Sequence, residues 1–172
     1  MNASESLRGV ATLTQTSRGA APMRLRKAMG RFATGVTVVT TAQGEQVHGM
    51  TANGVMSVSL EPPLVCVSLG NCKMDDMLPR TRRYAISVLG VEQESLARHF
   101  AGRPVEEVAP RFTWFRELPF IDGALAHVGC RVEAIHEAGD HRLWIGRVDY
   151  MEFRDGDPLL FYAGQFDRLA RK

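Results

Sequence analysis

A mainly β, antiparallel barrel with a few short helices is the fold class this sequence predicts, and three observations carry that prediction. About eight runs show the β-branched content or the two-residue alternation of strands. Short turns join most of them, so the chain shows no βαβ rhythm. Helical periodicity is confined to two or three brief segments.

Pro22 opens PMRLRKAMGRFATG, where Leu25, Ala28, Met29 and Phe32 fall at i, i+3, i+4 and i+7, one face of a helix that Gly35 ends. Val36 to Thr41 is β-branched throughout and reads as a strand; AQGEQ turns it, and Val47 to Thr51 returns. Val55 to Leu60 alternates, with Val55, Ser57 and Ser59 on one face and Met56, Val58 and Leu60 on the other. Pro62 and Pro63 interrupt pairing. Leu64 to Leu69 is apolar enough to be a central strand, and GNCKMDDMLPRT is a loop entering a short helix.

Tyr84 to Leu89 is the next strand. Glu92 to Ala101 is an amphipathic helix with Leu96, Ala97 and Phe100 on one face. Residues 103–123 carry little regular pattern, and long segments of this kind are often functional covers. Two long strands, Leu125 to His136 and Arg142 to Phe153, flank the turn EAGDH. RDGDP turns the chain into a last strand, Leu159 to Tyr162.

The 172 residues suit one domain, read here as residues 23–172, preceded by a tail over residues 1–22 rich in Ser, Thr, Ala and Gly. That tail is basic and nearly free of acids; of a transit peptide and a plain extension, the second is favoured. Twenty-one Lys and Arg balance 19 Asp and Glu, which gives no support to nucleic-acid binding. No apolar stretch is long enough to cross a bilayer. The three cysteines lack metal or CxxC spacing; Cys66 and Cys130 read as buried small hydrophobes and Cys72 as a loop thiol. An odd count with no signal peptide favours a cytoplasmic protein.

GxGxxG, GxxxxGK[ST] and GxSxG are all absent, and the five histidines are scattered, so no Rossmann site, P-loop, nucleophile elbow or metal site is expected. What remains is polar groups at strand ends: Thr34 and Thr37 about the first strand, Thr51, Asn53 and Ser57 about the next pair, and Ser68, Asn71 and Lys73 after the fourth. Each alone is ordinary strand or turn chemistry. Together they offer hydroxyls, amides, backbone N–H groups and one cation, a set suited to a flat heteroaromatic ring with a phosphate tail.

FATGVTVVTT, HGMTANGVMSVSLEPPLVCVSL, LARHFAGRP, GALAHVGCRVEAIHEAGDHRLWIGRV and DGDPLLFYAGQF follow one another in an order that resembles the flavin reductase-like family, the small reductase components of two-component flavin-dependent monooxygenases. The resemblance spans Met23 to Phe166. It implies a Greek-key-like, FMN-binding split β-barrel that works as a homodimer, takes FMN or FAD, oxidises NADH or NADPH and hands reduced flavin to a separate monooxygenase. Thr51, Ala52 and Asn53 would lie along the flavin ring, with Thr37 and Val38 contributing from the first strand. The GDH turn would put Asp140 and His141 near the nicotinamide. Phe100 and Phe166 are further candidates, Phe166 at a position where an aromatic ring is usual. Two departures stand out: Cys72, Lys73 and Met74 replace a Ser-Arg-Thr-like phosphate cradle, and Gly54 replaces a frequent Ser. The rival readings are a flavin-retaining oxidase of the pyridoxamine-phosphate-oxidase type and a non-enzymatic flavin or haem carrier.

Overall fold

Five successive β-branched residues, Thr37 to Thr41, favour an extended backbone and form a buried strand flanked on both sides in the main sheet. The computed structural model describes residues 21–103 and 108–170. In chain order the elements are α1 (Ala21–Met29), β1 (Thr34–Gly35), β2 (Thr37–Gln43), β3 (Gln46–Ala52), β4 (Val55–Leu60), β5 (Pro63–Gly70), α2 (Lys73–Thr81) and β6 (Arg83–Val88). A 3-10 turn (Val91–Gln93), α3 (Glu94–Phe100), β7 (Phe112–Phe115), β8 (Leu118–Ile121), β9 (Ala126–Ala138), β10 (His141–Phe153), β11 (Leu159–Tyr162) and β12 (Gln165–Arg168) follow.

Seven strands form one antiparallel sheet in the order β3-β2-β6-β9-β10-β5-β4. The two edge strands, β3 and β4, are consecutive in sequence and joined only by Asn53 and Gly54. A link that short spans no more than about 10 Å, so the sheet curls until its two edges meet at that end. The result is an antiparallel barrel split along the β3/β4 seam. A second sheet, β1-β11-β12, and a hairpin, β7-β8, lie outside it.

The core has two main parts. Trp144, Tyr84, Leu69, Met74, Leu78 and Ile86 fill the barrel beneath α2. Val36, Val38, Leu89, Ala97, Ile121 and Leu159 pack under α3 and the small sheet. Cys66 and Cys130 are buried as expected, and burial pushes the Cys130 thiol up to about 12. Cys72 is the N-cap of α2, half-buried, its thiol 3.7 Å from the Met50 sulfur.

Several sequence expectations are corrected. The first helix ends at Met29, and Thr34–Gly35 instead pair with Phe161–Leu160 of β11. The face carrying Leu25, Met29 and Phe32 is exposed. Of the tail expected over residues 1–22, Ala21 and Pro22 belong to α1; residues 1–20 lie outside the described residues. β5 is one strand in from the edge rather than central. Met56, Val58 and Leu60 of β4 face outward, Leu60 at 90% exposure. Within the segment expected to be irregular, β7 and β8 form a hairpin whose inner strand, Leu118 to Ile121, is fully buried. Thr40 donates to the Pro119 carbonyl and pins that hairpin to the sheet.

One buried carboxylate ties α2 to the barrel. Asp75, 2% exposed, accepts the Trp144 indole N–H at 2.7 Å and pairs with Arg142 at 2.5 Å. Asp75→Ala removes the acceptor and leaves both donors behind. The loss should be about 3 kcal/mol of unfolding free energy, in the range for breaking a partly buried ion pair. Urea denaturation against wild type measures it; a change within 0.5 kcal/mol, roughly the scatter of a surface substitution, would remove Asp75 from this role.

Candidate functional site

The seam end of the barrel gathers most of the candidate residues. Across β2 and β3, Thr37 stands opposite Ala52 and Val38 opposite Thr51. The Thr37 hydroxyl donates to the Ala52 carbonyl at 2.7 Å, and the Ser68 N–H donates to the Gly54 carbonyl at 2.8 Å. The two-residue link is thus anchored to β2 on one side and β5 on the other. Asn53 between those anchors is exposed. Thr51 donates to the Ala97 carbonyl at 2.6 Å, which seats α3 against β3.

Val38 is fully buried and paired on both sides, so its side chain serves the core. Thr37 and Ala52 are buried as well. The hydroxyls of Thr37 and Thr51 hold the corner's shape, and Asn53 is its outward-facing polar side chain. Ser57 lies three residues beyond Gly54 on β4, exposed and opposite Val65.

His141 begins β10 opposite Gly70, two residues past Ser68 on β5. Its ring lies against Gly70, with Nε2 3.4 Å from where a β-carbon there would sit. Nδ1 donates to Asp140 at 2.8 Å. That hydrogen bond, and then the charge of His141, hold the Asp140 carboxyl below the usual carboxylate range. An ionised acceptor on Nδ1 leaves Nε2 without the proton in the neutral ring. Gly139, at φ +68°, supplies the left-handed residue that the tight β9–β10 turn needs.

Thr34 and Phe166 meet through the small sheet. Thr34 pairs with Phe161, whose ring is 5.4 Å from Phe166. Arg98 lies over Phe166 at 5.0 Å and is held by Glu94. Arg98 follows Ala97, the partner of Thr51, so this group adjoins the corner. The Thr34 hydroxyl is buried with no hydrogen-bond partner among the described residues.

Lys73 and Phe100 line a separate cleft of about 410 Å³ between β3, the start of α2 and the end of α3. Phe100 approaches β3 only because residue 49 is Gly: a β-carbon there would stand 2.7 Å from the ring. His48 and His99 also line this cleft, and sequence reading passed over both as isolated histidines. It passed over Asp75 and Arg142 too, since their partnership joins positions 67 residues apart. Among the described residues, no group of three or more His, Cys, Asp or Glu could hold a metal ion, and no helix is long and apolar enough to cross a membrane.

The fold and the site together are those of a split barrel with an exposed amide at its corner, a histidine packed on the neighbouring strand and a cleft carrying one lysine. The family model described as "Flavin reductase like domain" matches residues 29–170, and the chain belongs to that family. It is 52% identical over 152 residues to an NADH-dependent flavin reductase of a Rhodococcus species, covering 86% of each chain. It is 40% identical over 147 residues to the reductase component of a Thermus thermophilus 4-hydroxyphenylacetate 3-monooxygenase, covering 84% of this chain and 95% of that one. The solved structure of the flavin reductase PheA2 in its native state superposes with a TM-score of 0.84 at 45% identity, over 87% of this chain and 98% of the other.

Proposed function

We propose that this protein is an NAD(P)H-dependent flavin reductase that reduces FMN or FAD and releases reduced flavin to a separate monooxygenase component. The observation that carries the reading is the seam corner, where the Gly54 carbonyl, next to the exposed Asn53, accepts from the Ser68 N–H, and Gly70, two residues further along β5, packs against the His141 ring. The residues present fit a flavin. An amide and backbone groups suit the polar edge of the ring, the orphaned Thr34 hydroxyl is a buried donor in want of a partner, and Lys73 supplies a cation. When bound, the flavin accepts a hydride from the reduced nicotinamide and carries it away.

The chain's own part is positional. Asn53 hydrogen-bonds the ring edge, and the backbone of Thr51 to Gly54 sets its plane. His141, fixed through Nδ1 by Asp140, orients the nicotinamide and moves no proton. Alignment of two rings is the main catalytic requirement for such a transfer. NADH is the reductant named for the Rhodococcus relative, and we assign it here. The three free cysteines agree with a cytoplasmic setting.

Steady-state assay of the purified protein with NADH and added FMN or FAD tests the proposal. NADH consumption that depends on added flavin is the expected result. A tightly retained flavin with no NADH consumption would indicate an oxidase or carrier instead. In the same assay His141→Ala should raise the KM for NADH, and lower turnover if the ring aligns the hydride donor, with flavin affinity near wild type. Wild-type values for both constants would make the GDH turn structural.

Asn53→Ala should weaken flavin binding by about 0.5–1.5 kcal/mol, the worth of a neutral hydrogen bond, and leave the melting temperature unchanged. Flavin titration followed by fluorescence measures it, and unchanged affinity would take Asn53 out of the site.

The active form is a homodimer. Met23, Leu25, Met29 and Phe32 around α1, Met56, Val58 and Leu60 on β4, and Met151 and Phe153 on β10 are all exposed in the single chain. Apolar surface on that scale marks an interface, and a second copy laid on it would also shelter the exposed corner. Sedimentation should find twice the 19.0 kDa chain mass. A fully active species at the chain mass itself would refute the dimer.

A further inference from the structure

We propose that His127 is a positioning residue that acts as an imidazolium: with a proton on each ring nitrogen it clamps the β7–β8 hairpin to the barrel, and through Ile121 and Phe112 it holds Phe100 in place. The clamp opens when the ring gives up its Nδ1 proton. The bearing on activity rests on the flavin reductase reading; the clamp itself does not.

The hydrogen bonds set the proton count. His127 on β9 is 7% exposed. Its Nε2 lies 2.8 Å from the Ile121 carbonyl of β8, and its Nδ1 lies 2.7 Å from Glu152 on β10. A carbonyl only accepts, so Nε2 carries a hydrogen. The hydrogen bond from the Tyr150 hydroxyl, and then that from His127, hold the Glu152 carboxyl below its ordinary range. An ionised carboxylate also only accepts, so Nδ1 carries a hydrogen as well. A ring with two N–H donors is the charged form. Without the second proton, the Nδ1 lone pair would face the carboxylate.

The surrounding groups leave Glu152 to this ring. Tyr150, on the same strand, donates to that carboxylate. Arg154 lines the same cavity of about 250 Å³, but it donates to the Ala124 and Gly123 carbonyls and approaches Glu92 at 3.4 Å. From β8, Phe120 sets its ring 5.0 Å from the imidazole. From β6, the cross-strand neighbour is Ser87, whose hydroxyl accepts the Ile121 N–H at 2.9 Å. Glu152 is about half exposed at the cavity, which gives a released proton its way to solvent.

Ile121 is where the clamp reaches the site. It pairs with Phe112 across the hairpin, and both pack with Ala97 and Phe100 under α3. The Phe112 and Phe100 rings meet edge to face at 6.4 Å, and Phe100 seats on Gly49. The closed clamp holds a proton that the open one gives up, so closing weakens as pH rises. Glu152 works in the opposite sense: its lowered carboxyl stays ionised until the pH falls below the ordinary carboxylate range.

Protein labelled with heavy nitrogen in its histidines is followed by long-range proton–nitrogen NMR. His127→Gln identifies the His127 signals by their loss; if that variant does not fold, Glu152→Gln identifies them by their shift. Wild-type His127 should show the two similar nitrogen shifts of an imidazolium at about pH 7.5, where an ordinary histidine is mostly neutral. Glu152→Gln offers an amide N–H to Nδ1, so its ring should be neutral there, with a hydrogen on Nε2 alone. Hydrogen exchange over Leu118 to Ile121 is compared between wild type and Glu152→Gln at equal pH. The two should match at about pH 7.5 and wild type should exchange several-fold faster by about pH 9.5, well past the ordinary histidine range. The KM for flavin, compared in the same way, should follow the same ratio. A neutral wild-type ring at the lower pH overturns the proposal, as does wild-type exchange that tracks the variant throughout. A KM ratio flat with pH while exchange opens overturns the positioning role. Absence of NADH oxidation by wild type defeats the reductase reading and the positioning role with it, while the first two measurements still decide the clamp.

Discussion

Two residues, Asn53 and Gly54, connect the two edges of a seven-stranded sheet, and the rest of the architecture follows from that constraint. Consecutive strands ordinarily pair through a turn. Here β3 and β4 pair with β2 and β5 instead, and the sheet must bend almost into a closed barrel to let so short a link reach. The corner is therefore a place where two unpaired edges converge and leave backbone groups free. Edge strands normally need protection. In this protein α3 seats against β3 through the Thr51 hydroxyl, and the first turn of α2 closes over the Met50 side. The same exposed edge that is a liability in other folds is here a row of hydrogen-bonding groups held at fixed spacing.

Asp75 gives that corner a rigid frame. It is the third residue of α2, two past Lys73, and its partner Arg142 is next to His141. One buried carboxylate thus sets the position of the helix start that carries Lys73 and the strand start that carries His141. Trp144, completely buried, is held by its indole N–H to the same oxygen pair. Burial of an ion pair is costly unless each charge keeps its hydrogen bonds, and here both carboxylate oxygens are occupied. The arrangement makes geometrical sense of a loop that looks, in sequence, like an unremarkable acidic helix start.

All eight strands expected from β-branching and alternation are present, because those patterns report backbone preference and local burial directly. The hairpin β7–β8 was invisible for a local reason. Its turn residues are Arg116 and Glu117 at φ 47° and 67°, without the Gly or Asn that normally announces such a turn, and Pro119 sits in its second strand. The apolar stripes of α1 and β4 were legible as stripes, but a stripe does not say whether its partner is the chain's own core or another molecule. For the candidate site, Thr51 to Asn53 and His141 were legible as candidates because they sit in short segments with excess polarity. Val38 could not be separated from them, since burial of one strand residue depends on pairing with β3 and β6. His48 and His99 were out of reach because 51 residues separate them and only the meeting of β3 with α3 gives them a common cleft.

The same geometry bears on how firmly a ligand is held. Two of the three candidate side chains at the corner already spend their donor proton within the chain, Thr37 on the Ala52 carbonyl and Thr51 on the Ala97 carbonyl. Asn53 remains, with backbone groups on one side of an open seam and His141, about half exposed, on the other. A site built for permanent retention would enclose most of its ligand and supply several fresh contacts. On the proposed reading, one amide and an open face instead favour modest affinity. Modest affinity is what the chemistry needs, because a reductase whose product is free reduced flavin must let go of it after each hydride transfer. Rigidity and weak grip are therefore compatible here: the internal hydrogen bonds that fix the corner also use up the donor protons of its two hydroxyls, leaving only their lone pairs for a ligand.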